Sequence, residues 1–220
     1  QAAYRSDVKR LETAAKVFLS VESDKTDIEP VGFELSFGFG KTDGLNREDP
    51  VPIRLSKNIQ FRLQGQIDRI DRTEDGYHIW DYKTGSMAPY DETDLLKRGT
   101  HLQWVLYAYA LEHIFKQHHR PGPVLQSGYV FPSDREHGRD ISETPPPPEA
   151  LADVLTPLFE LVVKGGFFHT QKEDRCTYCQ FNRICASEKR LPKDMKDIQE
   201  HTTDVSLADL LDTLNRWMHV

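Results

Sequence analysis

Apolar positions along the chain switch between two periods, and the switches mark out its elements. Val8, Leu11, Ala15, Phe18 and Leu19 form one helical stripe over residues 4–21. Phe33-Glu-Leu-Ser-Phe37 alternates apolar with polar and reads as a strand, and Lys41 to Pro50 as a polar loop. Ile59, Phe61, Leu63 and Ile67 keep the two-residue period, so a half-buried strand is expected through Asp71. Thr73-Glu-Asp-Gly76 is a turn signal, and a second strand carries Asp81 and Lys83. Gly85 to Pro89 breaks that strand; a long helix is expected from about Glu92 to His118, then a strand over Val124 to Phe131. A polar connection ends in Pro145 to Pro148, and a helix over 149–164 stops at Gly165-Gly166. Leu207, Leu210, Leu211, Leu214 and Trp217 make an amphipathic tail helix after Ser206, a suitable N-cap. This order implies an α/β fold: a mixed central β-sheet flanked by helices.

Side-chain parity turns the hairpin into a candidate site. Asp68 points away from the face that carries Ile67, whereas Asp81 and Lys83, two residues apart, share a face. If Asp75-Gly76 is a two-residue loop, residue 74 pairs with 77, 68 with 83 and 70 with 81. Opposed Cβ atoms lie about 4.5–5.5 Å apart, so Asp68, Asp81 and Lys83 would converge. A four-residue loop keeps that convergence; a three-residue loop turns Asp68 away. Two converging carboxylates suit a hard cation such as Mg²⁺, with the Tyr82 carbonyl as a further oxygen ligand. Such a metal lowers the pKa of water and neutralises charge on a phosphoryl oxygen. Lys83 beside it would stabilise developing negative charge. These are the requirements of phosphodiester hydrolysis. The plain alternative is a surface hairpin whose ion pairs contribute about 0–1 kcal/mol. Glu34 is read as an exposed strand carboxylate, with approach to the site as the alternative. Gln103 and Tyr107 lie four apart on one helical face, and Trp104 and Tyr109 read as core or docking residues.

Gly65-Gln-Ile-Asp-Arg-Ile-Asp71, Asp81-Tyr-Lys-Thr-Gly85, Gln103-Trp-Val-Leu-Tyr107 and Cys176-x2-Cys179-x5-Cys185 occur in that order. In this the chain resembles the PD-(D/E)xK nucleases, specifically the RecB/AddB-type exonuclease branch, over about residues 5–190. The resemblance implies a restriction-endonuclease-like core, with Asp68 and Asp81 as metal ligands for Mg²⁺ or Mn²⁺ and Lys83 as the catalytic lysine. It implies Gln103 and Tyr107 as active-site or DNA-contacting residues. The three cysteines resemble the last three of four ligands of a structural [4Fe–4S] cluster. Members also carry a histidine and a first cysteine further upstream, so the chain is read as a C-terminal fragment of a longer protein. The domain expectation is a nuclease domain over 1–190, with its catalytic core at about 29–131 and a cysteine segment at 165–190, then a tail over 191–220. The implied activity is a metal-dependent deoxyribonuclease, an exonuclease acting on DNA ends in double-strand-break repair. A helicase, as a further domain or a separate protein, is the implied partner. A non-catalytic DNA-end-binding scaffold and a CRISPR-associated nuclease of the same superfamily are the alternatives.

Composition sets the outer bounds. At 220 residues and 38% hydrophobic content the chain can bury one sizeable core. It has no apolar run long enough to span a membrane. Three cysteines, two of them as C-x-x-C, do not make a secreted disulfide framework, so a cytoplasmic location is expected. At that spacing thiolates suit zinc or an iron–sulfur cluster, and both take four ligands. The net charge of −7 is unusual for a dedicated nucleic-acid binder. A local basic footprint is expected instead, from Arg62, Arg69, Arg72 and Lys83 on the hairpin with Lys97, Arg98 and His101 before the next helix.

Overall fold

In a computed structural model, residues 2–40, 44–90, 93–96, 99–120, 122–166, 180 and 208–213 are described. The chain divides into two compact units, Gln1–Leu151 and Ala152–Val220. Cys176, Cys179 and Cys185 lie outside the described residues, as does most of the expected tail helix.

The first unit is built on a five-stranded sheet in the order β1-β4-β5-β6-β7. Its strands are β1 (Glu29–Phe37), β4 (Gly65–Arg72), β5 (Tyr77–Tyr82), β6 (Val124–Val130) and β7 (Asp140–Glu143). β5 and β6 run parallel and the other neighbours antiparallel, so the sheet is mixed. A parallel pair needs a crossover connection. Helix α2 (Gln103–Gln117) supplies it and buries Trp104, Val105, Ala108, Leu111, Ile114 and Phe115. Helix α1 (Ala2–Ser23) precedes the sheet. It meets the sheet through Phe18, whose ring stands edge-on to Tyr82 at 5.8 Å. An α/β architecture with a mixed sheet and flanking helices is therefore what this sequence adopts.

The apolar run from Ile59 to Ile67 is divided between two sheets rather than forming one strand. β3 (Gln60–Leu63) pairs with β2 (Val51–Arg54) in a separate hairpin, and β4 begins anew at Gly65. The expected two-residue hairpin loop is also corrected. Arg72 pairs with Tyr77 and Arg69 with Trp80, so the loop is the four residues 73–76 and the pairing of 68 with 83 does not form. A two-residue type I′ turn needs positive φ at both central residues, and neither Asp75 nor Gly76 has it. Thr73 closes the wider loop instead: its amide donates to the Gly76 carbonyl at 2.9 Å and its hydroxyl accepts from the Gly76 amide at 3.1 Å. Gly76 is needed for space, since a Cβ there would sit 2.4 Å from the Pro123 carbonyl oxygen.

Helix α2 starts at Gln103, well after the expected Glu92. Gly99 stops any earlier helix by adopting φ 78°, and the His101 amide bonds back to the Leu96 carbonyl. β7 has no counterpart among the expected strands. It packs so closely on β6 that a Cβ at Gly128 would fall 1.9 Å from the Ile141 carbonyl oxygen.

Helix α3 (Pro148–Val163), most of whose residues belong to the second unit, ends where expected. Gly165 takes φ 73°, and the amides of Gly165 and Gly166 bond to the carbonyls of Val162 and Leu161. Residues 208–213 are helical, Leu211 is buried, and Asp209 pairs with Lys164 at 2.6 Å.

Candidate active site on the α2 face of the sheet

Asp68 and Asp81 meet because the loop between their strands is even in length. The β4–β5 pairing ends at Arg69–Trp80, and the next residues, Asp68 and Asp81, lie close enough for the charge of one to act on the other. There the ladder gives way: the Tyr82 amide donates to Asp68 Oδ2 at 2.8 Å instead of to a backbone carbonyl. β5 keeps its other edge, with Tyr82 beside Val130 and the Lys83 amide bonded to the Val130 carbonyl at 2.9 Å. The strands thus part on one side, and a carboxylate fills the opening.

Lys83 and Gln103 complete a closed ring with Asp81. Lys83 Nζ lies 2.5 Å from Asp81 Oδ2 and donates to Gln103 Oε1 at 3.1 Å. Gln103 Nε2 donates to Asp81 Oδ1 at 2.7 Å. The late start of α2 is what makes this possible, since it puts Gln103 in the first turn, level with the end of β5. The Tyr129 ring lies 5.3 Å from Lys83 Nζ and adds a cation–π contact. Asp81 is 6% exposed. Burial raises its pKa above the ordinary 3.8, the bond from Lys83 pulls the other way, and the Asp68 charge adds to the rise.

Tyr107 is placed differently. Its hydroxyl accepts from the Gln66 amide at 3.4 Å, and its ring stands edge-on to Phe37 at 5.8 Å. It therefore lies against the start of β4 rather than in the Asp81 ring. The contact explains Gly65: a Cβ there would fall 2.7 Å from Tyr107 Cε1 and 2.9 Å from its hydroxyl oxygen. Glu34, exposed and at φ 54°, bonds to the Gln66 side chain. Trp104 is core, 1% exposed, with its indole N–H on the Leu95 carbonyl, and the Tyr109 hydroxyl donates to the Pro146 carbonyl.

The basic cluster expected on the hairpin does not assemble. Arg69 is buried on the opposite face, Arg72 pairs with Glu29, and exposed Arg62 lies 3.9 Å from Asp49. The cause is again parity, since Arg69 and Asp68 are adjacent and must face opposite ways. Lys97 and Arg98 lie outside the described residues. Sequence reasoning counts Arg69 only toward that cluster, gives Asp71 no role, and misses Tyr129. The alternation in Val124 to Phe131 holds the only signal for Tyr129.

Oxygen donors suit a hard cation, and Mg²⁺ sites use one or two carboxylates together with water. Asp68 and Asp81 fit that requirement. Among the described residues no three His, Cys, Asp or Glu side chains gather to hold a metal by themselves. No helix among the described residues is long and apolar enough to cross a membrane.

Comparison with known proteins gives the kinship of the chain. The family model of the PD-(D/E)XK nuclease superfamily matches residues 2–186. Over 127 residues the chain is 34% identical to an ATP-dependent helicase/deoxyribonuclease subunit of Clostridium perfringens (strain SM101 / Type A), covering 53% of this chain and 10% of that protein. With its counterpart in strain 13 of the same species it shares 31% over 156 residues, 66% of this chain and 13% of that protein. With the counterpart in Ruminiclostridium cellulolyticum it shares 34% over 108 residues, 47% of this chain and 9% of that protein. The chain thus spans roughly a tenth of the length of these relatives. A match that begins in α1 and runs through the strands of Asp68 and Asp81 and the helix of Gln103 settles the kinship: this chain belongs to the PD-(D/E)XK nuclease superfamily.

Proposed function

We propose that this chain is the metal-dependent DNA-cleaving part of a helicase–nuclease protein and acts as an exonuclease in the resection of DNA ends. The observation that carries this is the ring of Asp81, Lys83 and Gln103 facing Asp68 on one side of the sheet. The relatives are named as helicase/deoxyribonuclease proteins, which supports both DNA as substrate and a helicase as partner.

In this mechanism Asp68 and Asp81 would hold Mg²⁺ or Mn²⁺, and the Tyr82 carbonyl would supply a third oxygen. When bound, the cation supplies positive charge for the phosphoryl oxygens and lowers the pKa of water. Lys83 presents its ammonium to the charge that develops during attack at phosphorus. Gln103 keeps Lys83 and Asp81 at fixed separation, so little reorganisation is needed as charge builds. Buried Asp81 must be ionised to serve, which sets an acid limit on activity. Tyr107 lines the approach at Gly65 and Gln66 as a DNA-contacting residue. Cys176, Cys179 and Cys185 would supply three ligands of a [4Fe–4S] cluster, a claim tested by iron and sulfide content of the anaerobically purified protein.

A second reading, DNA-end binding without turnover, draws on the limited donor set among the described residues. Degradation of linear but not covalently closed DNA in Mn²⁺ separates the readings. Release of nucleotides from ends alone supports the exonuclease. Cutting of closed circles contradicts it, and retention of ends without release favours the binding module.

A further inference from the structure

The cleavage scheme uses Asp68 from the β4 motif and leaves Arg69 and Asp71 without a task. Yet Arg69 is 2% exposed and Asp71 is fully buried. Removing two charges from water is costly unless each is well paired. Asp71 is held twice, by Arg69 Nε at 2.6 Å and by the Trp80 indole N–H at 2.9 Å. The guanidinium, fixed along that edge, turns its other nitrogens toward two elements. Nη2 lies 2.7 Å from Glu22 Oε2 near the end of α1, and Nη1 donates to the Tyr82 hydroxyl at 3.3 Å. Burial raises the pKa of that hydroxyl, with Arg69 pulling the other way, so it meets the guanidinium as a neutral acceptor. Phe18 packs edge-on against the same ring.

Tyr82 is the residue between Asp81 and Lys83, and its amide donates to Asp68. Its side chain is therefore gripped on one face of the sheet while its main chain is bound to the site on the other. The geometry points to Arg69 as a positioning residue: braced by Asp71, it clamps Tyr82 from the rear face and fixes the main chain on which Asp68, Asp81 and Lys83 converge. Its consequence for turnover rests on the nuclease reading; the clamp itself does not. Lysine cannot replace it, since a single ammonium lacks the planar fork that serves Asp71, Glu22 and Tyr82 together.

Two variants test this. Tyr82→Phe removes only the hydroxyl and leaves the Arg69–Asp71 pair intact, so its fold survives. Arg69→Lys keeps the charge and loses the fork. Hydrogen exchange at the Tyr82 amide, followed by NMR in the whole chain, should rise at least fivefold in Tyr82→Phe. Its kcat should fall about 5- to 10-fold with KM for single-stranded DNA unchanged, and Mn²⁺ binding by calorimetry should weaken. Arg69→Lys should show the same pattern more strongly. Wild-type exchange, kcat per folded molecule and Mn²⁺ affinity in Tyr82→Phe, with only a lowered Tm in Arg69→Lys, overturn the clamp and leave the nuclease reading standing. Faster exchange in a protein whose wild type never cuts DNA supports the clamp and sinks the nuclease reading.

Discussion

Replacing Gln103 by methionine tests how the candidate site is held together. Methionine has nearly the same shape, so the change removes polar contacts without opening a cavity. Lost are the 2.7 Å bond to Asp81 and the 3.1 Å bond from Lys83, both to charged groups. A hydrogen bond to a charged group contributes about 1.5–3 kcal/mol. Only the share that strengthens in the transition state affects kcat. Taking that share as one bond, kcat should fall about 10- to 150-fold, at about 1.4 kcal/mol per decade. KM for DNA should change little, because Gln103 is turned to Asp81 and Lys83 rather than out to a substrate. Gln103→Glu sharpens the test. It keeps an acceptor for Lys83 but sets a second carboxylate against Asp81, a repulsion of about 4 kcal/mol at an effective dielectric of about 20. Its activity should be poor at neutral pH and recover as pH rises and Asp81 ionises. The assay is steady-state release of end label in Mn²⁺, per folded molecule, from pH 5 to about pH 9. Methionine-variant kcat within threefold of wild type, or a loss confined to KM, would refute the reasoning.

Further expectations follow from the same contacts. Gly65→Ala forces Tyr107 to move by several tenths of an ångström, so urea unfolding should show a loss of about 1–3 kcal/mol. In Gly65→Ala/Tyr107→Ala the two nearest obstacles are gone and only Phe37 Cζ, 3.0 Å away, still presses on the new Cβ, so the pair should be far from additive; strict additivity would rule out the contact. The raised pKa of Asp81 gives opposite signs to stability and activity. Its stabilising contribution is fully present below the ordinary carboxylate range and is lost as pH rises through the raised value. Asp81→Asn should therefore gain Tm relative to wild type increasingly as pH rises above the ordinary carboxylate range, while remaining inactive; a Tm difference that does not change with pH would argue against a costly buried carboxylate.

The hairpin shows which parts of this fold the sequence makes legible. Parity survives a change of loop length by two, so placing Asp68 on the face of Asp81 and Lys83 needed only an even loop. The register itself depended on Thr73 capping the turn and on Gly76 approaching Pro123, neither of which local propensity reveals. The expected start of α2 falls too early because that helix would pass through Gly99, whose positive φ ends helical geometry. β2 and β7 escape sequence reading for a shared reason. Each has four residues; Pro52 interrupts one, and Ile141 is the only apolar residue in the other. Their pairing is decided by neighbours rather than by pattern. Of the site, Asp68, Asp81, Lys83 and Gln103 are brought together, whereas Tyr107 stands apart at Gly65. The Arg69–Asp71 clamp lies within the Gly65 to Asp71 motif. It becomes visible only once Trp80 and Tyr82 are seen on the same face.

The most direct test of the central claim compares wild type with Lys83→Ala in Mn²⁺, using end-labelled linear single- and double-stranded DNA. Lys83 is partly exposed, so its truncation opens no core cavity, and the fold of the variant is checked by circular dichroism and Tm. The account predicts metal-dependent release by wild type and its loss by at least 100-fold in Lys83→Ala. Equal release by both proteins at matched folded concentration would contradict it.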